Sequence, residues 1–421
     1  MTPPSLVKRA APGAGFAMVV LTAMNLLNYI DRYVASAVKE LFRVDLGFTD
    51  TQTSIPFWAF TVVYMLTSPI FSSLADRWPR KWLIAAGVAL WSLATASAAL
   101  ATGFLTFLLA RAVIGVGEAA YATISPALIS DYYPAERRNR MLTIFYVAIP
   151  VGAALAYAIG GPIGQAFGWR KAFLIVGLPG LLAAGLVLLI KEPVRGGLDQ
   201  ARAAVQTSWK SALAVFRRTS PYLFAVAGYV AVTFASGGMA EWVPAFLTRY
   251  RGLDTAQAGL VTGLPVGLGA LLGTLTGGFL ADRLRGKTRA PYFALCAVSM
   301  TLASFAVVLA LSVHGTVAIA LAVFLAQFLM WCYNGPINAI IVNTVPFELR
   351  ARAVGLSILL IHMLGDAISP LVIARISDVT GNLGNGMALI PIMLFVGAMI
   401  WMYGWRKVPE DGRQDGKTAG L

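Results

Sequence analysis

The stretch Pro134-Ala135-Glu136-Arg137-Arg138-Asn139-Arg140 returns 212 positions later as Pro346-Phe347-Glu348-Leu349-Arg350-Ala351-Arg352. The shared frame is Pro-x-Glu-x-Arg-x-Arg, and each copy interrupts long apolar runs. A second echo precedes each: Leu74-Ala75-Asp76-Arg77 with Arg80 and Lys81, then Leu280-Ala281-Asp282-Arg283 with Arg285 and Lys287. Polar loops repeated between apolar segments describe a duplicated membrane protein. Matched halves that rock about a central site are the layout of a transporter.

Composition supports this. Of 421 residues 58% are hydrophobic and 12% charged, against about 25% charged in an ordinary soluble domain. A bilayer-crossing helix needs roughly 20 apolar residues. Such runs fall at 16–41, 52–75, 82–101, 104–130, 141–166, 171–190, 222–248, 256–281, 291–312, 316–345, 353–377 and 386–405. That predicts an all-α membrane protein of twelve transmembrane helices in two pseudo-symmetric six-helix bundles, 1–190 and 221–406. Strand alternation is missing from these runs, so a transmembrane barrel is not expected.

The net charge of +14 could suggest a polyanionic partner, but the placement of the cations argues otherwise. With the N-terminus inside, 24 Lys and Arg fall in cytoplasmic segments and six outside, Lys39, Arg43, Arg170, Lys171, Arg249 and Arg251. This is the positive-inside bias; no nucleic acid is expected, and both termini are placed in the cytoplasm. The expected location is the inner membrane of a bacterium. Cys296 and Cys332 lie within predicted spans and offer neither a disulfide framework nor zinc spacing. No metal or cofactor is expected, and a monomer is.

Residues 191–220 join the halves. Ala201, Val205, Trp209, Leu213 and Phe216 can share one side of a helix there, with Arg202, Lys210 and Arg217 towards the other. Such a helix would lie on the cytoplasmic leaflet; a solvated linker is the alternative. The segment 407–421 reads as a cytoplasmic tail.

A charge at mid-span costs about 2.5 to 3.5 kcal/mol on insertion scales, so Asp31, Arg32, Arg111 and Glu118 call for a reason. Counted from the cytoplasmic ends at 1.5 Å per residue, they lie about 18 to 28 Å deep, in one layer. Arg111 and Glu118 are two turns apart on one face. Asp31 and Arg32 diverge by about 100° and must look to other helices, so they are expected to exchange partners with Arg111 and Glu118. Desolvation raises a carboxyl's proton affinity and a nearby arginine lowers it. An arginine that moves would therefore switch the acid, which is a route to proton coupling.

The second half has no matching set, because Met330 and Val323 stand where Glu118 and Arg111 would repeat. It offers Asn334, Asn338, His362 and Asp366, the last two four apart on one helical face. They fit a local structural pair or a cavity wall equally. Glu241 is expected at a wet outer rim. In the repeated loops, Asp76, Arg77, Arg80, Lys81, Glu136, Arg138 and Arg140, with Asp282, Arg283, Glu348, Arg350 and Arg352, are expected to form a cytoplasmic gate. Single surface pairs contribute about 0 to 1 kcal/mol, so such a gate needs a network.

Ser72-x-x-x-Asp76-Arg77-x-Pro79-Arg80-Lys81, and its echo from Gly278 to Lys287, resemble the loop signature of the major facilitator superfamily, with Ser72 and Pro79 in place of glycines. Four further stretches are Asn28-Tyr29-Ile30-Asp31-Arg32, Gly115-Val116-Gly117-Glu118-Ala119-Ala120-Tyr121, Ile149-Pro150-Val151-Gly152 and His362-Met363-Leu364-Gly365-Asp366-Ala367-Ile368-Ser369-Pro370. Together they are similar to the Spinster group of lipid transporters. The resemblance implies alternating access, proton coupling and an amphiphilic solute such as a lysophospholipid or sphingoid phosphate. Arg32 and Arg111 would then take the head group, with Asn28, Tyr29, Trp58, Tyr121, Phe145 and Tyr146 about the cavity. Gly160-Gly161-Pro162-Ile163-Gly164 partly matches an antiporter motif and points to export. A transporter of small organic anions or drugs is the alternative. No nucleophile with its base and no phosphate-cradling loop suggests an enzyme.

Overall fold

The computed structural model describes residues 10–198, 208–284 and 290–407. All regular structure among them is helical. In chain order the helices are α1 (Ala14–Ala37), α2 (Lys39–Asp45), α3 (Asp50–Arg77), α4 (Arg80–Ala98), α5 (Phe104–Tyr132), α6 (Ala135–Phe167), α7 (Trp169–Gly177), α8 (Pro179–Leu188) and α9 (Trp209–Arg218). They continue as α10 (Ser220–Tyr250), α11 (Thr255–Leu284), α12 (Pro291–Ser312), α13 (Thr316–Trp331), α14 (Asn334–Asn343), α15 (Arg350–Ile361), α16 (Ser369–Thr380), α17 (Leu383–Met387) and α18 (Leu389–Lys407). Twelve helical segments among the described residues are long and apolar enough to cross a membrane. Arg285, Lys287, Ala201, Arg202, Val205 and the tail beyond Lys407 lie outside the described residues.

Local chemistry sets the boundaries. A capping box opens α3: Thr49 Oγ1 accepts from the Gln52 N–H (3.2 Å) and Gln52 Oε1 accepts from the Thr49 N–H (3.0 Å). Helix α6 ends on Gly168 at φ +84°, a conformation that disfavours any side chain. Pro179 opens α8, where its missing N–H is not needed. Between α15 and α16 the chain makes one turn of π-helix, His362–Asp366; such turns are frequent at functional sites.

The described residues group into two compact units, and the grouping cuts across the expected halves. The first is drawn from Met1–Ala203, Ala240–Gly267 and Pro370–Leu383, the second from Ala204–Met239, Leu268–Ser369 and Gly384–Leu421. Small residues and charges draw the end of α10, the start of α11 and nearly all of α16 into the first unit. A Cβ on Gly161 would lie 2.6 Å from the Thr255 carbonyl, and one on Gly263 2.5 Å from that of Ala154, so α6 and α11 meet backbone to backbone. The glycines of the antiporter-like stretch thus have a packing role. Two apolar cores fill this unit, one about Trp91, Ile114, Tyr121 and Phe145, the other about Phe42, Phe107, Trp169 and Phe173.

In the second unit Trp401 is fully buried and its indole N–H donates to the Ala225 carbonyl (3.2 Å). Gly237 allows α10 to pass the π turn, since a Cβ there would lie 2.6 Å from Asp366 Cα. Helix α9 lies within the segment that joins the expected halves and is opened by Ser208, whose hydroxyl accepts from the Ser211 N–H (3.1 Å).

Candidate functional site

Helix α5 carries two of the four central charges, and glycines let its neighbours reach them. A Cβ on Gly115 would lie 2.6 Å from the Phe60 carbonyl of α3, and one on Gly117 2.5 Å from the Gly87 carbonyl of α4. Arg111 and Glu118, two turns apart, are both fully buried. From α1, Arg32 donates through Nε (3.1 Å) and Nη2 (2.5 Å) to Glu118 Oε2. Asp31, 1% exposed, accepts from the Thr95 hydroxyl at 2.7 Å. The structure thus brings Arg32 to Glu118, whereas Asp31 turns to Thr95 and not to Arg111.

Arg111 is the outlier. It has no exposed surface, and none of its three guanidinium nitrogens has a hydrogen-bond partner among the described residues. Asp31, Glu118 and Glu241 balance its charge only at longer range. Glu118 Oε1, Asp31 Oδ1 and Asn28 Nδ2 are likewise without partners. A buried guanidinium without partners is costly, so this layer has unmet capacity for an anion.

Aromatic rings hold the cations in a column. Arg32 lies over Tyr29, Phe60 and Tyr64 (4.9, 5.1 and 5.5 Å), and Arg111 over Phe57 and Phe60 (4.7 and 5.3 Å). Lys39 follows over Phe57 and Trp242 (5.2 and 3.7 Å), then Arg249 at 5.8 Å from Trp242. Cation–π attraction lets each charge rest against an apolar wall. Phe57, Phe60 and Tyr64 were not singled out from the sequence, although their spacing of three and four is the signal of a helical face. Thr95 and Lys39 carried no such signal.

The far end of this column is closed. Glu241 was expected at a wet rim, but it is 4% exposed. Its carboxylate pairs with the fully buried Lys39 ammonium and accepts from the Ser36 hydroxyl (2.6 Å). Lys39, counted among the cations on the outer side, has no exposed surface. Arg249 joins Asp50 (2.6 and 2.7 Å) and Glu40 (2.5 Å), while Asp378 accepts from the Asp50 and Thr51 N–H groups (3.0 and 2.9 Å). Asp378 thereby caps the α3 N-terminus together with Thr49.

The remaining candidates divide. Trp58 and Tyr146 are exposed; Tyr121 is not. Tyr121 and Phe145 belong to the core, the Tyr121 hydroxyl donating to the Leu21 carbonyl at 2.6 Å. In the second unit His362 Nδ1 lies 2.9 Å from Asp366 Oδ2, and Asn338 donates to the Asn334 carbonyl (2.8 Å). The Tyr229 ring packs edge-on against Tyr333, with centroids 5.3 Å apart. His362 and Asp366 are 46% and 33% exposed, so the pair is accessible.

In the loops, Arg80 is buried and pairs with Asp131 (2.6 Å) and Glu192 (3.0 Å), neither singled out beforehand. Lys81 donates to the Leu188 carbonyl (3.1 Å) and Arg138 to the Ser130 carbonyl (3.0 Å), so both close helix ends. Asp76, Arg77, Glu136, Arg140, Asp282, Arg283 and Glu348 are exposed, and no ion pair joins them among the described residues.

Residues 21–370 match the family model described as Major Facilitator Superfamily. The chain is 33% identical to Protein spinster of Drosophila melanogaster, over 89% of this chain and 64% of the fly protein. Against Protein spinster homolog 1 of Rattus norvegicus it is 34% identical, over 86% of this chain and 72% of the rat protein. The chain belongs to the Spinster family of the major facilitator superfamily. This Spinster-family protein is therefore an integral, multi-pass membrane transporter with the twelve-helix major facilitator fold. It spans less than two thirds of the fly protein's length. It is also 30% identical to the sphingosine-1-phosphate transporter SPNS2 of Danio rerio, over 91% of this chain and 82% of that protein. A crystal structure of a bacterial homolog to the human lysosomal transporter Spinster superposes with a TM-score of 0.80 at 22% identity, over 94% of this chain and 98% of that one. At that identity the superposition shows the fold alone.

Proposed function

We propose that this protein carries an anionic, amphiphilic lipid of the lysophospholipid or sphingoid-phosphate class, with proton linkage at Glu118. One observation carries the reading: Arg111 is wholly buried at mid-span with every guanidinium nitrogen unpartnered. A phosphate offers two parallel charge-assisted hydrogen bonds to such a group. The named substrate of the zebrafish relative has that head group.

Arg32 supplies the coupling. It is held by Glu118 and remains partly accessible, with 24% of its side chain exposed. An arriving phosphate competes with Glu118 for Arg32. When Arg32 turns to the phosphate, the buried Glu118 loses its counter-charge and takes up a proton that reaches it along the accessible side of Arg32. Proton and anion then bind together and cross in the same direction. Asp31, held by Thr95, stays as the fixed acid facing Arg111. Alternating access follows when the outer closure of Lys39–Glu241 and Arg249–Asp50 parts and the repeated loops close. The cytoplasmic placement of those loops and of both termini, in a bacterial inner membrane, belongs to the same proposal.

The test is a thermal-shift titration of purified protein with lysophosphatidic acid, lysophosphatidylcholine and a short dicarboxylate. Saturable stabilisation by the first, lost in Arg111→Gln, is expected. Equal stabilisation by the dicarboxylate, in competition with the lipid, would favour the small-anion alternative. Stabilisation unchanged in Arg111→Gln would end the assignment.

A further inference from the structure

Helix α9 serves no part of the transport site, and its surface divides into three sectors. With Trp209 at 0° and about 100° per residue, Ala212 and Phe216 fall at about −60° and −20°, Leu213 at about 40°, Arg217 and Lys210 at about 80° and 100°, and Arg218 at about 180°. The first sector is protein-facing: Ala212 is fully buried and Phe216 is 2% exposed. Phe216 packs at a tilt against Tyr222 (4.9 Å between ring centroids), whose hydroxyl donates to the Ala353 carbonyl of α15 (3.0 Å). The second sector is apolar and uncovered, with Trp209 55% and Leu213 37% exposed. The third is cationic and exposed, Lys210, Arg217 and Arg218, and the helix contains no acid.

The tether decides where these faces lie. Thr219 alone separates α9 from α10, the next membrane-spanning segment. The helix therefore cannot leave the bilayer surface. At that depth an exposed Trp and Leu meet the boundary of head groups and acyl chains, and flanking Lys and Arg meet lipid phosphates. Arg352 lies 5.3 Å over the Trp209 ring and adds a fourth cation beside the patch.

We propose that α9 is a docking surface for anionic phospholipid head groups of the bilayer that the protein itself spans. Trp209 and Leu213 insert at the interface, and Lys210, Arg217 and Arg218 bind the phosphates. Through Phe216, Tyr222 and Ala353 the docked helix also braces the start of α15, the helix that leads into the His362–Asp366 turn.

The experiment uses the full chain in nanodiscs of phosphatidylcholine mixed with phosphatidylglycerol, one or the other brominated. The chain has ten tryptophans, so the Trp209 signal is the fluorescence difference between wild type and Trp209→Phe. That signal should be quenched by brominated lipid, and more by brominated phosphatidylglycerol than by brominated phosphatidylcholine at equal mole fraction. In Lys210→Gln/Arg217→Gln/Arg218→Gln the preference should fall by roughly fivefold for each charge removed, and fall in wild type as salt is raised. Equal quenching by the two lipids in wild type, or a preference untouched in the triple variant, would overturn the proposal. Absence of quenching by either would place another protein or water on this face and overturn it equally. None of these readings depends on transport.

Discussion

Removing Lys39 alone leaves the Glu241 carboxylate, 4% exposed, with the Ser36 hydroxyl as its remaining hydrogen-bond partner among the described residues. Removing Glu241 alone leaves a fully buried ammonium against Trp242 and Phe57. Breaking one side of a buried pair costs about 3–5 kcal/mol, whereas replacing both sides with apolar or neutral groups is often neutral or stabilising. Lys39→Met and Glu241→Gln should each lower the thermal midpoint of detergent-purified protein by several degrees, at about 2–4 °C per kcal/mol. The double variant should recover most of the loss. The coupling energy would then approach the sum of the two single-variant costs. Strictly additive losses would show that the two side chains act independently, and would remove the buried outer closure from the account.

Three further outcomes follow from the geometry. Arg111→Met should raise the thermal midpoint of ligand-free protein, because it removes a buried guanidinium without hydrogen-bond partners, while abolishing lipid-induced stabilisation; a lower midpoint would mean that Arg111 is satisfied. Gly117→Ala should fail to fold or lose several kcal/mol, since its Cβ would lie 2.5 Å from the Gly87 carbonyl, and expression with size-exclusion profiling reads this directly. At the α2–α7 contact, the Arg170 guanidinium and the Trp169 N–H hold the Asp45 carboxyl below its ordinary value. Its contribution is present above the unfolded carboxyl value near about 4 and is lost as pH falls through the lower folded value. Hydrogen exchange of α2 should be protected at neutral pH and not in strong acid, with Asp45→Asn lacking that dependence.

Much of the architecture was legible because two signals are global. Apolar run length placed the twelve crossings, and the repeated Pro-x-Glu-x-Arg-x-Arg frame revealed the duplication. The depth of Asp31, Arg32, Arg111 and Glu118 could be counted at a fixed rise per residue, and Arg32 does meet Glu118. Their partners could not be counted in this way. Thr95 reaches Asp31 from α4, a pairing that no local pattern encodes. Lys39 and Glu241 lie about 200 positions apart, each near a helix end, where a charge normally reads as solvated. Irregularities inside apolar runs were hidden: 316–345 was read as one span and Thr316–Asn343 is one, but a turn at Cys332 and Tyr333 separates α13 from α14 within it. The π turn at His362–Asp366 leaves no mark on hydropathy. Tyr121 packs in the core, and an aromatic beside Glu118 fits a cavity wall and a core equally until its neighbours are known.

The central claim is that anion binding at Arg32 and Arg111 is linked to protonation of Glu118. It is tested most directly by uptake of labelled lysophosphatidic acid into vesicles of reconstituted protein, with and without an imposed pH gradient, in wild type and Glu118→Gln. Wild type should accelerate when the gradient runs in the direction of lipid movement, and Glu118→Gln should transport at a rate that ignores the gradient. A gradient response retained in Glu118→Gln would contradict the account.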